Sequence, residues 1–124
     1  MLKIAITKGR IEKQVCQLLA KNGFDMDPIF HKDRELLIET EDGLSMIVAK
    51  ANDVLTFLEH GIVDVGFVGK DTLIDSDFHD YYDMLDLDIG KCYFAVAAYP
   101  EYKTKEYKRR KRIASKYTKV AKEY

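Results

Sequence analysis

The chain has 124 residues and a mass of 14.3 kDa, with 20 basic residues, 21 acidic residues and a formal net charge of −1. An apolar share of 47% beside 33% charge excludes the disordered and collagen-like classes and suits one ordinary folded domain. No stretch approaches the roughly 18 uninterrupted apolar residues of a membrane span, and the first residues lack a secretory leader's long apolar run. A cytoplasmic protein with no membrane partner is the expectation.

Leu2-Lys3-Ile4-Ala5-Ile6-Thr7 is a short apolar run that predicts a strand, interrupted by Lys8-Gly9-Arg10. Apolar residues at Ile11, Val15, Leu18 and Leu19 then predict a helix, stopped at Asn22-Gly23. Two apolar runs at 36–39 and 44–49 flank Thr40-Glu41-Asp42-Gly43, and Asp-Gly between such runs predicts a hairpin. Asn52 or Asp53 can cap a helix through Val54, Leu55, Phe57 and Leu58, closed at Gly61. Residues 62–68 predict a strand that leads at once into Gly69-Lys70-Asp71 and a short helix. Residues 84–89 and 91–99 are further strand candidates, and the Tyr- and Lys-rich remainder predicts two helical pieces around a short strand at 112–114. Strands alternating with helices define an α/β fold, in which ligands bind beyond the carboxyl ends of the strands.

The charge is unevenly spread. Residues 101–124 hold ten Lys/Arg and three Glu, whereas the first hundred residues carry a net of −8. A basic tail of this kind fits nucleic acid, an anionic ligand or a solvated helix, and it contains no recognisable nucleic-acid motif. No nucleic-acid partner is expected. Cys16 and Cys92 have neither CxxC spacing nor neighbouring histidines, so no zinc site or disulfide is expected. Both predict unpaired, buried packing residues.

Two turns have chemistry suited to a ligand. Thr7-Lys8-Gly9-Arg10 joins a strand to a helix, where glycine admits close backbone approach and the helix N-terminus and two cations favour a phosphate. Val68-Gly69-Lys70-Asp71 repeats that logic without the spacing of a Walker loop. The bland alternatives are a tight turn with solvated charges and a helix capped by Asp71. Seven aspartates between Asp71 and Asp88 lack EF-hand spacing, so they read as a solvated acidic face. His31, His60 and His79 are scattered, and no nucleophile–histidine or metalloprotease motif is present.

These segments together resemble a known family. Met1-Leu2-Lys3-Ile4-Ala5-Ile6-Thr7-Lys8-Gly9-Arg10 is similar to the N-terminus of ATP phosphoribosyltransferases, which catalyse the first step of histidine biosynthesis. The run from Asn52 through His60-Gly61-Ile62-Val63-Asp64-Val65-Gly66-Phe67-Val68-Gly69-Lys70-Asp71 resembles that family's central signature. Leu85-Asp86-Leu87, Gly90-Lys91-Cys92 and Arg112-Ile113-Ala114-Ser115-Lys116-Tyr117 continue the likeness in order.

The resemblance implies a two-lobed α/β fold like that of type 2 periplasmic binding proteins, with residues 1–90 as the first lobe and 91–124 as the start of the second. It implies condensation of ATP with phosphoribosyl pyrophosphate, giving N1-(5-phosphoribosyl)-ATP and pyrophosphate, with substrate-bound Mg2+. It implies a homo-oligomer and, for the family's short form, a histidyl-tRNA-synthetase-like regulatory subunit. Lys8, Gly9, Arg10, Lys50, Gly69, Lys70, Asp71, Ser115, Lys116 and Tyr117 fall on its substrate segments. The loop that grips the phosphoribosyl 5′-phosphate lies past Tyr124 in the family, so the second lobe is expected to be incomplete and these residues alone inactive. An alternative is a non-catalytic nucleotide- or anion-binding module of the same fold.

Some positions depart from the family pattern. Thr7 stands where proline is usual, which predicts a looser strand exit. Lys50-Ala51-Asn52 replaces Arg-Pro-Ser, and a lysine offers only a point charge where a guanidinium would bind bidentately. Asp88 and Thr118 sit where glycine and proline are common.

Overall fold

The computed structural model describes residues 1–33, 35–104 and 112–124. β1 (Leu2–Thr7) leads into α1 (Arg10–Lys21), and α2 (Asp27–Phe30) precedes the hairpin of β2 (Leu37–Glu39) and β3 (Leu44–Ala49). α3 (Ala51–Glu59), β4 (Val65–Phe67) and α4 (Lys70–Asp75) follow. A 3-10 turn at Pro100–Thr104 and α5 (Thr118–Glu123) come last. The strands form one four-stranded sheet in the order β2-β3-β1-β4. β1 runs parallel to both neighbours, pairing Thr7 with Ala49 and Ile6 with Phe67, and only β2 is antiparallel.

The hairpin closes as its Asp-Gly signal predicts. Gly43 takes a left-handed φ of 82°, and Thr40 and Leu44 exchange bonds across the turn. The sheet is covered on both faces. Ile4, Ile6, Met46 and Ile38 pack with Val15, Cys16, Met26 and Ile29 into one cluster, while Ala5 meets Val54 and Val63 in the other. α3 comes close enough to β4 that a Cβ on Gly66 would stand 2.6 Å from Leu58 Cδ1. That position therefore favours glycine over any larger side chain.

Several departures from the family pattern acquire a backbone meaning. Ala51 and Thr118 are the first residues of α3 and α5, the position where proline is tolerated best, so each site accepts proline but does not require it. Asp88, with φ 55°, is the one non-glycine residue in the left-handed region among the described residues. Its side chain is of a type that tolerates this conformation, and its carboxylate pairs with Lys91 Nζ at 2.9 Å in solvent. α3 starts earlier than the Asn52 or Asp53 cap predicts. Lys50 is its N-cap, in extended conformation and without a side-chain cap bond, and both carboxamide and carboxylate fall inside the first turn.

The strands expected at 84–89, 91–99 and 112–114 are not formed. Their apolar residues are of strand-forming type, but strand propensity expresses fit to a half-buried pleated surface, and no such surface covers them. Leu87 and Ile89 still lean on the main cluster, whereas every residue from Lys91 to Tyr99 is exposed. Of the helical pieces expected in the tail, the 3-10 turn and α5 are seen, and residues 105–111 lie outside the described residues.

Cys92 also departs from expectation: it is exposed, because the strand that would bury it is absent. Cys16 is buried on α1, and burial, then the Glu12 carboxylate, push its thiol pKa up against the opposing pull of Lys32. A thiol reagent should therefore label Cys92 at least about a hundredfold faster than Cys16 in the native protein. Peptide mass spectrometry after timed labelling measures both, and equal rates would contradict the packing described.

Candidate functional site

Parallel pairing sends the carboxyl ends of β1, β3 and β4 to one edge of the sheet, where three turns emerge side by side. Lys8-Gly9-Arg10 leaves β1, Lys50 leaves β3, and Gly69-Lys70-Asp71 leaves β4. The turns are fastened to each other. Lys8 N–H donates to the Ala49 carbonyl at 2.8 Å, and Thr7 Oγ1 donates to the Phe67 carbonyl at 2.9 Å. The second bond corrects the expectation of a loose strand exit: the hydroxyl that replaces proline ties β1 to β4. Lys8, Arg10, Lys50 and Lys70 are all exposed at this edge, so four cations meet one stretch of solvent.

Gly9 is the N-cap of α1, with φ 107°, a conformation that glycine alone adopts readily. Its N–H donates to Glu12 Oε2 at 3.2 Å, and the other oxygen of Glu12 pairs with Lys32 Nζ. Glu12 thus holds the entry of α1 in shape, in the manner of a capping box. The Gly-x-x-Glu spacing carried that signal in the sequence, whereas nothing local marked Lys32.

Gly69 caps α4 in extended conformation. Asp71 is not the cap; its Oδ1 accepts the neighbouring Thr72 N–H at 2.9 Å. The other oxygen, Oδ2, accepts the hydroxyl of Tyr117 at 2.7 Å, across 46 residues of sequence. That hydrogen bond, followed by burial and nearby carboxylates, pushes the Tyr117 pKa up to about 12. Tyr117 is further held by an edge-on contact with Phe94, ring centroids 5.1 Å apart, and by Lys116 Nζ 5.7 Å above its ring.

The structure therefore joins two candidate segments through Asp71 and Tyr117 and sets Lys8, Gly9, Arg10, Lys50, Gly69 and Lys70 on the same edge as Asp71. Ser115 and Lys116 are exposed, and Ser115 Oγ accepts the Tyr117 N–H at 3.0 Å. Five of the seven aspartates are exposed as expected, and only Asp71 and Asp75 are partly buried. Asp71, Asp75 and Asp77 all accept donors from the segment around α5. Among the described residues no three His, Cys, Asp or Glu side chains converge as metal ligands. No helix among them is long and apolar enough to cross a membrane.

Four exposed cations at the carboxyl ends of parallel strands make this the cationic edge of an α/β sheet. The comparisons with known proteins give the family. A model described as HisG, ATP phosphoribosyltransferase, matches residues 50–124. An ATP phosphoribosyltransferase of Lactococcus lactis subsp. cremoris is 57% identical over 124 residues, all of this chain and 60% of its own length. One from Clostridium kluyveri is 43% identical, over 99% of this chain and 56% of its own. The solved ATP phosphoribosyl transferase (HisG:HisZ) complex of Thermotoga maritima is similar with a TM-score of 0.53 and 37% identity, over 64% of this chain and 37% of that one. The chain belongs to the ATP phosphoribosyltransferase family, and it spans about three-fifths of the length of the curated relatives it matches.

Proposed function

We propose that the chain forms the first part of an ATP phosphoribosyltransferase, in which ATP N1 attacks the anomeric carbon of phosphoribosyl pyrophosphate and pyrophosphate departs. The observation that carries this reading is the single edge holding Lys8, Arg10, Lys50 and Lys70 around two glycine turns. The departing group is a polyanion, so charge develops where fixed N–H groups and cations lower its energy most. Arg10 and Lys8 bind phosphate oxygens beside the α1 N-terminus, and Lys50 and Lys70 extend the positive field along the edge. Lys50 supplies a single charge without a fork, which favours a mobile phosphate over a rigidly oriented one.

Magnesium fits as a companion of the substrate. Its oxygens would come mostly from the substrate phosphates, as is usual for this ion. In the two-lobed arrangement proposed here, like that of type 2 periplasmic binding proteins, residues 1–90 make the first lobe and 91–124 begin the second. A cytoplasmic homo-oligomer with a histidyl-tRNA-synthetase-like regulatory subunit completes the reading. The similarity to one member of a HisG:HisZ complex supports such a partner.

Calorimetric titration with ATP and with pyrophosphate tests the reading. Arg10→Ala is expected to weaken anion binding about tenfold, the typical weight of a charge-assisted hydrogen bond, with the melting temperature nearly unchanged because Arg10 is exposed. Lowered stability with unaltered affinity would return Arg10 to the role of a solvated turn residue. Binding without phosphoribosyl-ATP formation, in a chain of the relatives' full length, would favour the non-catalytic module.

A further inference from the structure

α5 begins without a cap of its own: Tyr117 is its N-cap residue and makes no side-chain cap bond. The missing acceptor comes from α4. Asp75 Oδ1 takes the N–H of Lys119 at 3.0 Å and that of Val120 at 3.2 Å, the second and third residues of α5. These are the amides that a helix's own N-cap side chain ordinarily satisfies. Around this bond, Lys119 Nζ donates to Asp77 Oδ1 at 3.1 Å and to the Ser76 carbonyl at 3.5 Å. The Tyr117 hydroxyl reaches Asp71 Oδ2 at 2.7 Å. Asp71 and Asp75 are four residues apart on α4, so they stand one turn apart on a common face. Each holds one point of α5: Asp75 its backbone, Asp71 the side chain just before it.

We propose that Asp75 is a positioning residue, a cap lent by α4 to α5 that sets Tyr117 on Asp71 and so fixes the 69–71 turn against the 115–117 segment. It touches no ligand. Two amide bonds to one carboxylate oxygen fix both the distance and the rotation of the first turn of α5, and Tyr117 is the residue adjoining that turn. A side chain with the same acceptor oxygen performs this role without charge, whereas a methyl group does not. The consequence for ligand affinity rests on the function proposed above; the placement of Tyr117 does not.

The test uses the chain labelled with 3-fluorotyrosine, with the Tyr117 fluorine resonance assigned by its loss in Tyr117→Phe. Asp75→Ala is expected to move that resonance to the position of a solvent-exposed tyrosine. Asp75→Asn, which keeps the acceptor, should leave it in place. In parallel, ATP affinity should fall about fivefold in Asp75→Ala, the usual weight of a lost helix cap, and stay near the parent value in Asp75→Asn. Circular dichroism confirms that both variants keep the sheet, which packs elsewhere. The proposal is overturned if Asp75→Ala leaves the Tyr117 resonance unmoved, or if both variants displace it equally. If Tyr117 is displaced while ATP affinity holds, Asp75 places Tyr117 as proposed and the functional reading of the 115–117 segment is the one overturned. Should the parent chain bind no ATP at all, the functional reading fails instead, and the fluorine resonances still decide whether Asp75 places Tyr117.

Discussion

Gly66→Val is expected to lower the unfolding free energy by about 3 kcal/mol, the upper range for overpacking a tight site. Gly66 is the middle residue of β4 and stands opposite Ala5 in the parallel register with β1. A Cβ there would lie 2.6 Å from Leu58 Cδ1 and 3.0 Å from Val54 Cγ1. Val54 is fully buried and has nowhere to retreat, so the helix must lift from the sheet or the strand must bend. Alanine places one carbon, and the end of Leu58 can swing aside, so Gly66→Ala should cost only about 1 kcal/mol. Valine adds two more carbons and removes that escape. Urea titration measures both, and the midpoint should drop with an unchanged slope. Leu58→Ala in the Gly66→Val background should recover part of the loss, because the two changes share one space. A midpoint equal to that of the parent would mean that α3 does not approach β4 as described.

The elements legible in the sequence are those whose signals are local. The Asp-Gly hairpin, the apolar face of α1 and the Gly-ended helix α3 each carry their own start, period and stop. The position of the candidate turns was legible for a related reason: alternating strands and helices imply parallel strands, and parallel strands bring their carboxyl ends to one edge. Residues 84–89, 91–99 and 112–114 show the limit. An alternating or apolar run states which residues suit a strand, but not whether a neighbouring strand exists to pair with it. The exposure of Cys92 follows from the same missing neighbour.

At the site, Asp71 and Tyr117 were both legible as candidates, yet their hydrogen bond spans 46 residues and no local pattern encodes it. Asp75 does carry a local signal: it lies four residues after Asp71 in a helical stretch, which places two carboxylates on one face. Its partners are backbone amides, which have no identity in sequence. The seven aspartates are not one uniform face: Asp71 and Asp75 are partly buried and, with the exposed Asp77, lie within reach of a basic segment that needs acceptors.

Hydrogen exchange should divide the chain sharply. Amides of Ala5, Ile6, Met46 and Val48 lie in the paired, buried centre of the sheet and are expected to open only with global unfolding. Residues 91–99 form no ladder and are exposed throughout, so their amides should exchange at least about a thousandfold faster. Lys119 and Val120 should fall between these limits, since Asp75 accepts both amides but α5 buries no residue completely. The side chains of Tyr93, Phe94, Val96 and Tyr99 make the fast-exchanging stretch unusually apolar for a solvated segment. Apolar surface of that extent promotes association. Protection in 91–99 is therefore expected to rise with protein concentration, as copies cover one another's apolar residues, while protection in β1 and β3 stays constant. Light scattering on the same samples gives the size of the particles. If 91–99 proves as protected as β1 in a monodisperse monomer at low concentration, those residues pair within the chain, and the open stretch described here is not the state in solution.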